Sequence, residues 1–471
     1  MQDSSNRDAI DVPSLFIWLL AMATIWVLLS SGPAFVKYVL TFDVVQTPAT
    51  LASILTALLV AMWPGNLKIV LVFAIAQIVV VSVRLPGIPT HVVMELLVYL
   101  SIVSAFVIQA IKQRSSQLSA KELFVLYAPS VRWLLIIMYF FGTFHKLNPG
   151  FFSLHSSCAI PFLQGLPLPA EFLQHPIVGY SAIWGTLLLE FIAMLLLLSA
   201  RTKYYGMLLG MPLHFMIGIS SHAILANFST FAVALHCAFL PAEFQERMER
   251  DTFFPSFIKK KTFLQFFTLI VILAQFLAMY LQIWWIIRVS FACVALTFIL
   301  AVFRNGKMGS EDRKYRLVSP IKIINIFPLL FFINCLGPYI GLSTQGVVQM
   351  FSGLRTEGGV SNHYLIPQPL YLFPYQEKVV YIEQSQDEIL ENLRKEHQGA
   401  VWIDFQRYLF REGRQITPPL ILSINDERIV INDDASFQAF AKEHFQELNL
   451  FERKLLNFRL VDEAHPRVCR H

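Results

Sequence analysis

Charge is what this sequence is short of. Only 15% of its 471 residues are Asp, Glu, Lys or Arg, against roughly a quarter in an ordinary soluble protein. With 55% apolar and 14% aromatic residues and a mean hydropathy of +0.56, a soluble globular enzyme is excluded. Cysteine is also sparse. The five, at 158, 237, 293, 335 and 469, form no CxxC pair and lie at no metal-ligand spacing from histidine, so no metal site is expected. Cys237, Cys293 and Cys335 read as small apolar core residues. A basic stripe with interleaved aromatics is missing too, so the net charge of +5 is no nucleic-acid signal. There is no internal repeat. The first apolar run follows a weakly acidic start and has no small-residue cleavage site, which reads as a retained first helix.

The charges that are present are unevenly placed. Residues 1–343 hold 23 basic and 14 acidic side chains, residues 344–471 hold 14 and 18, so 32 of 69 charges crowd into the last 128 residues. Apolar runs long enough to cross about 30 Å of hydrocarbon at 1.5 Å per residue recur through the first part. They lie at 12–30, 47–63, 67–83, 92–111, 130–144, 178–199, 204–220, 223–240, 262–282, 284–303 and 321–342. The pair 262–303 reads as a hairpin with almost no loop. The expected fold is therefore an all-α polytopic membrane protein of about nine to eleven transmembrane helices (1–343), embedded in the lipid bilayer, with a small C-terminal α+β extramembrane domain (344–471). In that domain, residues 420–431 alternate about Asn425-Asp426 as a hairpin does. Residues 371–383 look strand-like, and 386–395 and 436–447 read as amphipathic helices.

Orientation follows from the loops, because Lys and Arg accumulate on the cytoplasmic side. With the N-terminus inside, Arg7 aside, sixteen of twenty loop Lys and Arg fall inside; only Lys37, Arg84, Lys146 and Arg288 fall outside. An odd number of spans then puts the tail on the outer face, as in a bacterial inner-membrane protein with a periplasmic C-terminus. Cys158 and Cys469 both fall on that oxidising side, and a disulfide between them is the corresponding hypothesis.

Ionisable residues within spans are expensive, by about 2.5 to 3.5 kcal/mol on insertion scales, and are usually functional or paired. Glu95 opens the fourth span, Glu190 sits mid-way in the sixth and His214 lies towards the outer end of the seventh. His91 and Lys146 flank spans on the outer side. Arg132 can snorkel to the inner interface, and fourteen residues of helix, about 21 Å, separate it from Lys146. Lys146 should then lie shallowly in the outer leaflet, before the helix-ending Asn148-Pro149-Gly150 and the apolar Phe151-Phe152. Desolvation disfavours a charged lysine, and a neutral amine is a usable general base; the alternative is a span anchor that snorkels to the surface. His91 has an interfacial-cap reading, and His214, after Pro212, one as a donor to freed backbone carbonyls. Glu190 has no basic residue at helical spacing on its own helix, so pairing across helices is preferred. Gly206 and Gly210 stand at GxxxG spacing, the pattern of close helix packing.

The segment Tyr139-Phe-Phe-Gly-Thr-Phe-His145-Lys146-Leu-Asn148-Pro-Gly-Phe resembles the one that marks the horizontally transferred transmembrane (HTTM) domain family, which includes the vitamin K-dependent gamma-carboxylases. Leu187-Leu-Leu-Glu190, Leu213-His214-Phe-Met216 and Pro89-Thr-His91-Val resemble further segments of it, and the likeness covers roughly residues 15–340. The resemblance implies Lys146 as the base that deprotonates a reduced, vitamin K-like quinone. Reaction with oxygen then gives a strong alkoxide base that takes a γ-proton from a glutamate, and the carbanion adds carbon dioxide. It further implies His91 and His214 as groups that hold the carboxylate or polarise carbon dioxide, and Glu190, His145 and Asn148 as supporting polar residues. The quinone's own contacts stay unassigned. The carboxylases also carry a large lumenal β-rich region that binds propeptides, for which 128 residues leave no room. Two readings therefore stand: quinone-coupled proton abstraction or carboxylation at the outer face on a peptide or small-molecule substrate, and a non-enzymatic membrane protein that binds a lipid or peptide in immunity or signalling.

Overall fold

The computed structural model describes residues 9–30, 45–115, 117–220, 225–281, 285–307, 315–349, 351–410, 417–424, 427–462 and 469. It divides the chain into two compact units. The first is drawn from Met1–Arg84, His91–Phe140 and Phe162–Phe331, the second from Leu85–Thr90, Phe141–Pro161 and Phe332–His471. The second unit is thus larger than the charged tail alone, since it also takes in 85–90, 141–161 with the last turn of the fifth apolar run, and the end of the last run from Phe332.

The first unit is helical. Counting helices of eight residues or more, the chain forms α1 (Val12–Ser30), α2 (Gln46–Met62), α3 (Leu67–Arg84), α4 (Thr90–Gln113), α5 (Ala120–Phe144), α6 (Pro176–Leu197), α7 (Lys203–Ile219), α8 (Leu225–His236), α9 (Lys261–Leu281), α10 (Trp285–Asn305) and α11 (Ile326–Cys335). Each overlaps one of the eleven apolar runs, α11 covering only the middle of 321–342, where the short helical turns Lys322–Asn325 and Gly337–Ile340 flank it. Among the described residues, five stretches are long and apolar enough to cross a membrane: α3, α4, α5, α6 and Arg288–Asn305 within α10. Helix α8 meets that test only together with the short helix Phe244–Arg250, at a bend of 100°. Helix α5 begins ten residues earlier than its apolar run because Ser119 and Glu122 close a capping box. The Ser119 N–H donates to the Glu122 carboxylate (2.9 Å) and the Glu122 N–H to the Ser119 hydroxyl (3.2 Å). Helices α9 and α10 pack on each other; the link between them, 282–284, lies outside the described residues.

Two helices are apolar on all sides and buried accordingly. Residues 16–23 of α1, with Ile25 and Trp26, are almost fully excluded from solvent, and every residue of α8 except the partly exposed Phe228 is buried. These two pack on each other, and α7 and α10 cover α8 further. A helix enclosed in this way must find partners inside for Asn227, Ser229, Thr230 and His236. Arg132 does not snorkel freely: its guanidinium donates to the Ala238 carbonyl (2.7 Å) and the Arg316 carbonyl and lies over the Tyr315 ring. Cys237 and Cys335 are buried as expected, but Cys293 is exposed, because it sits on the outward face of α10.

The second unit carries a five-stranded antiparallel sheet, ordered β4-β3-β1-β2-β5, built from β1 (Val379–Gln384), β2 (Gln398–Val401), β3 (Leu420–Ile424), β4 (Glu427–Ile431) and β5 (Val461–Asp462). Strand β1 alternates between two cores. Val380 and Ile382 join Leu390, Phe405, Leu420, Leu422 and Phe440, while Val379 joins Val401, Ile403, Leu456 and Phe458. Helices α12 (Glu388–Lys395), α13 (Trp402–Leu409) and α14 (Asp434–His444) flank the strands in sequence, α12 and α14 capped by Asp387 and Asp433. The hairpin at 420–431 pairs Ile424 with Glu427, with 425–426 outside the described residues. The predicted strand from 371 shrinks to Val379–Gln384. Pro374 has no N–H to give a ladder, and the Phe373 N–H donates instead to the Ile340 carbonyl (3.1 Å). Cys158 and Cys469, both in this unit, form a disulfide.

Candidate functional site

The six residues singled out in the sequence fall into two groups, one in each unit. In the first unit, His91 and His214 come together around one ring: Phe228 of α8 lies 5.8 Å from the His91 ring and 5.3 Å from the His214 ring. Both histidines are buried. His91 Nε2 is 2.9 Å from Asn227 Nδ2, a hydrogen bond between the imidazole and the side-chain amide. Glu95 stands one helical turn further along α4 and is also buried.

On its other side His214 meets Tyr139 (5.7 Å between rings) and His236 (6.1 Å). His236 Nδ1 lies 2.8 Å from the Ala232 carbonyl, which can only accept, so Nδ1 carries the proton. Its Nε2 then accepts the hydroxyl hydrogen of Tyr139, at 3.3 Å. Gly210 makes room for this pair. A Cβ there would stand 2.4 Å from the Tyr139 hydroxyl and 2.6 Å from His236 Nε2. The GxxxG spacing therefore serves two ends: Gly206 packs against Ala193 and Leu197 of α6, and Gly210 clears a polar contact. Half-buried Glu190, on α6, lies within electrostatic reach of Tyr139.

Lys146 belongs to the second unit, with His145 and Asn148. It is only 7% exposed, in a residue type that is almost never buried without a partner, and its ammonium lies 5.6 Å from the centre of the Phe151 ring. The corner that presents it is pinned by Asn148. Its amide donates to the His145 and Ser352 carbonyls (2.8 Å each), and its oxygen accepts from the Phe151 N–H (3.0 Å). Pro149 and Gly150 then open the short helix Pro149–Phe152. His145 is fully buried among Phe141, Phe144 and Tyr339. Burial holds its pKa down to about 3, against the pull of the Val348 and Cys335 backbone.

His363 closes the corner from the tail. Its Nε2–H donates to the Phe144 carbonyl (2.9 Å), and Nδ1 accepts the Leu365 and Ile366 N–H groups (3.1 Å each). His363 is buried, and burial lowers its pKa as well, against the pull of its bond to the Phe144 carbonyl. Sequence reasoning missed His363, and also Tyr139, Asn227 and His236. For His236 a signal existed: it is an ionisable group inside an apolar run. Tyr139 and His363 carried none, because their partners are 97 and 219 residues away.

The first unit also has a cavity of about 130 Å³, lined mainly by apolar side chains including Leu15, Trp18, Phe244, Phe263, Phe267 and Phe298. None of the six candidate residues lines it. Among the described residues, no group of three or more His, Cys, Asp or Glu could hold a metal ion. Comparison with protein-family models, with curated proteins and with solved structures finds no match to this chain.

Proposed function

We propose that this chain is a multi-pass integral membrane protein that uses Lys146 as a base in quinone-coupled chemistry at the outer face of the membrane. Five helices of sufficient length and apolarity support the membrane part, and the excess of Lys and Arg in alternate loops supports an inside N-terminus. A disulfide between Cys158 and Cys469 suits an oxidising compartment for the tail.

The observation that carries the chemistry is the burial of Lys146 against an aromatic ring, on a corner fixed by three hydrogen bonds from one asparagine. An amine held there meets an apolar, uncharged partner more readily than an ionic one, which fits a reduced quinone as substrate, with oxygen and carbon dioxide as co-substrates by resemblance to the carboxylases. Lys146 takes a proton from the quinol hydroxyl; Asn148 keeps the amine in place. His91 and His214, both buried, are suited to orient a carboxylate or carbon dioxide. In liposomes supplied with reduced quinone and oxygen, the intact protein should form quinone epoxide, and Lys146→Ala should abolish it. Absence of turnover by the intact protein overturns this reading.

The cavity in the first unit favours a second reading, binding of a lipid or peptide without turnover, since it contains none of the candidate residues. Function lost on tail deletion and kept in Lys146→Ala would select it.

A further inference from the structure

Within the second unit, where the tail carries 32 charges in 128 residues, the stretch 358–376 carries no Asp, Glu, Lys or Arg at all. It is neither a strand nor an α-helix, apart from the 3-10 turn Pro374–Gln376, yet it exposes large apolar side chains. Val360 is 52% exposed, Tyr364 58%, Leu365 65%, Leu370 70% and Leu372 62%. An exposed apolar patch of this kind marks an interaction surface.

Its two ends are tied to the ends of two apolar helical segments. At the near end, the His363 ring donates to the Phe144 carbonyl, the last of α5, and the Tyr364 N–H donates to the Leu147 carbonyl (2.9 Å). At the far end, the Phe373 N–H donates to the carbonyl of Ile340, which closes the short helix Gly337–Ile340 after α11. Gly341 allows that approach. Its φ is +81°, and a Cβ there would stand 1.9 Å from the Phe373 carbonyl oxygen. Between the ties the backbone satisfies part of itself, through Ser361 Oγ to the Ile366 carbonyl (2.7 Å) and the Leu372 N–H to the Leu370 carbonyl (2.8 Å). Both anchors lie where apolar helical segments stop; in a membrane-spanning chain such ends fall near the membrane–water interface, where Tyr, the residue type of Tyr364 and Tyr371, is enriched.

We propose that residues 360–373 form an interfacial loop whose apolar side chains lie in the outer leaflet, the bilayer lipid being the partner that covers them. Absence of charge, rather than amphipathic periodicity, is its signature. Because the loop is bonded to Phe144 and Leu147, it is also a lipid-facing border to the corner that presents Lys146. The inference rests on the membrane reading above, and its test separates the two.

Single cysteines for an environment-sensitive fluorophore are placed at three exposed sites in a Cys293→Ser background of the full chain: Leu370→Cys in the loop, Leu188→Cys on α6 and Ile389→Cys on the charged helix α12. The protein is reconstituted in phosphatidylcholine vesicles with spin-labelled lipid as quencher. The expected result is blue-shifted, lipid-quenched emission at 188 and 370 and water-like, unquenched emission at 389. Quenching at 188 but not at 370 overturns the loop proposal and leaves the membrane reading standing. No quenching at 188 overturns the membrane reading itself. Quenching at all three positions overturns the loop's distinctness from the rest of the tail. A second variant, Leu365→Cys, repeats the measurement should Leu370→Cys fail to fold.

Discussion

The two units weight two ways of satisfying buried polar groups differently. Pairs of side chains across helices are prominent in the first, beside bonds to backbone such as Arg132 to the Ala238 carbonyl. Bonds to loop backbone are prominent in the second, beside the Gln398–Asp462 pair. In the first, side chain meets side chain across helices: His91 with Asn227, Tyr139 with His236, Gln77 with Ser53, Ser101 with Ser130 and Trp18 with Thr268. In the second, side chains meet loop backbone. Asn148 bonds the His145 and Ser352 carbonyls, Gln376 those of Pro338 and Thr356, Asn362 that of Gly353 and Gln349 that of Leu354. The reason is that an apolar helix saturates its own backbone and leaves only side chains to pair, whereas an irregular loop leaves N–H and C=O groups that something must satisfy. Cutting a bond should therefore cost more in the second unit, where each cut strands backbone.

The largest effect is expected at Asn148. Asn148→Ala removes three bonds to buried backbone groups, at about 1–3 kcal/mol for each group left unsatisfied, so the thermal unfolding midpoint in detergent should fall steeply. A small change there would break the contrast. Next comes Gly210→Ala, which puts a methyl group into the Tyr139–His236 contact; overpacking of this kind costs about 1–3 kcal/mol, and the same midpoint reads it.

The acid side gives a third, graded effect, read here at the second unit's corner. His145 and His363 are held neutral when folded, His145 with a pKa of about 3. From the ordinary histidine value of about 6.5 downward, the unfolded chain binds protons that the folded chain refuses, so stability is lost as pH falls across that window and is fully present above it. The midpoint of the native protein should drop more steeply over this range than that of His145→Gln; equal slopes would remove the histidine from the account. The smallest effect is expected at Ser101→Ala, a buried pair between α4 and α5, at about 0.6 kcal/mol. A loss there as large as at Asn148 would erase the distinction between the units.

Much of this was legible in the sequence. Hydropathy is a local property, so the eleven apolar runs became α1 to α11, and alternation about Asn425-Asp426 became β3 and β4. The boundary of α5 was legible too, in Ser119 and Glu122, though it lay outside the apolar run. The candidate site was legible only in parts. Burial of His214 followed from its place inside its run, whereas His91 and Lys146 flank theirs and had surface alternatives that only the structure decided against; Tyr139, Asn227, His236 and His363 acquire their roles from residues far away in the chain.

What the sequence determined by itself was the uneven placing of charge and the helical apolar runs, poor in charge, that precede a charged α+β tail, since charge and periodicity act over a few residues. Tertiary structure alone decided which polar groups meet. It gathered His91 and His214 around Phe228, opened space at Gly210 for Tyr139 and His236, and drew 85–90 and 141–161 into the unit that holds the tail. Such pairings depend on which faces of distant elements pack together, and no local pattern records that.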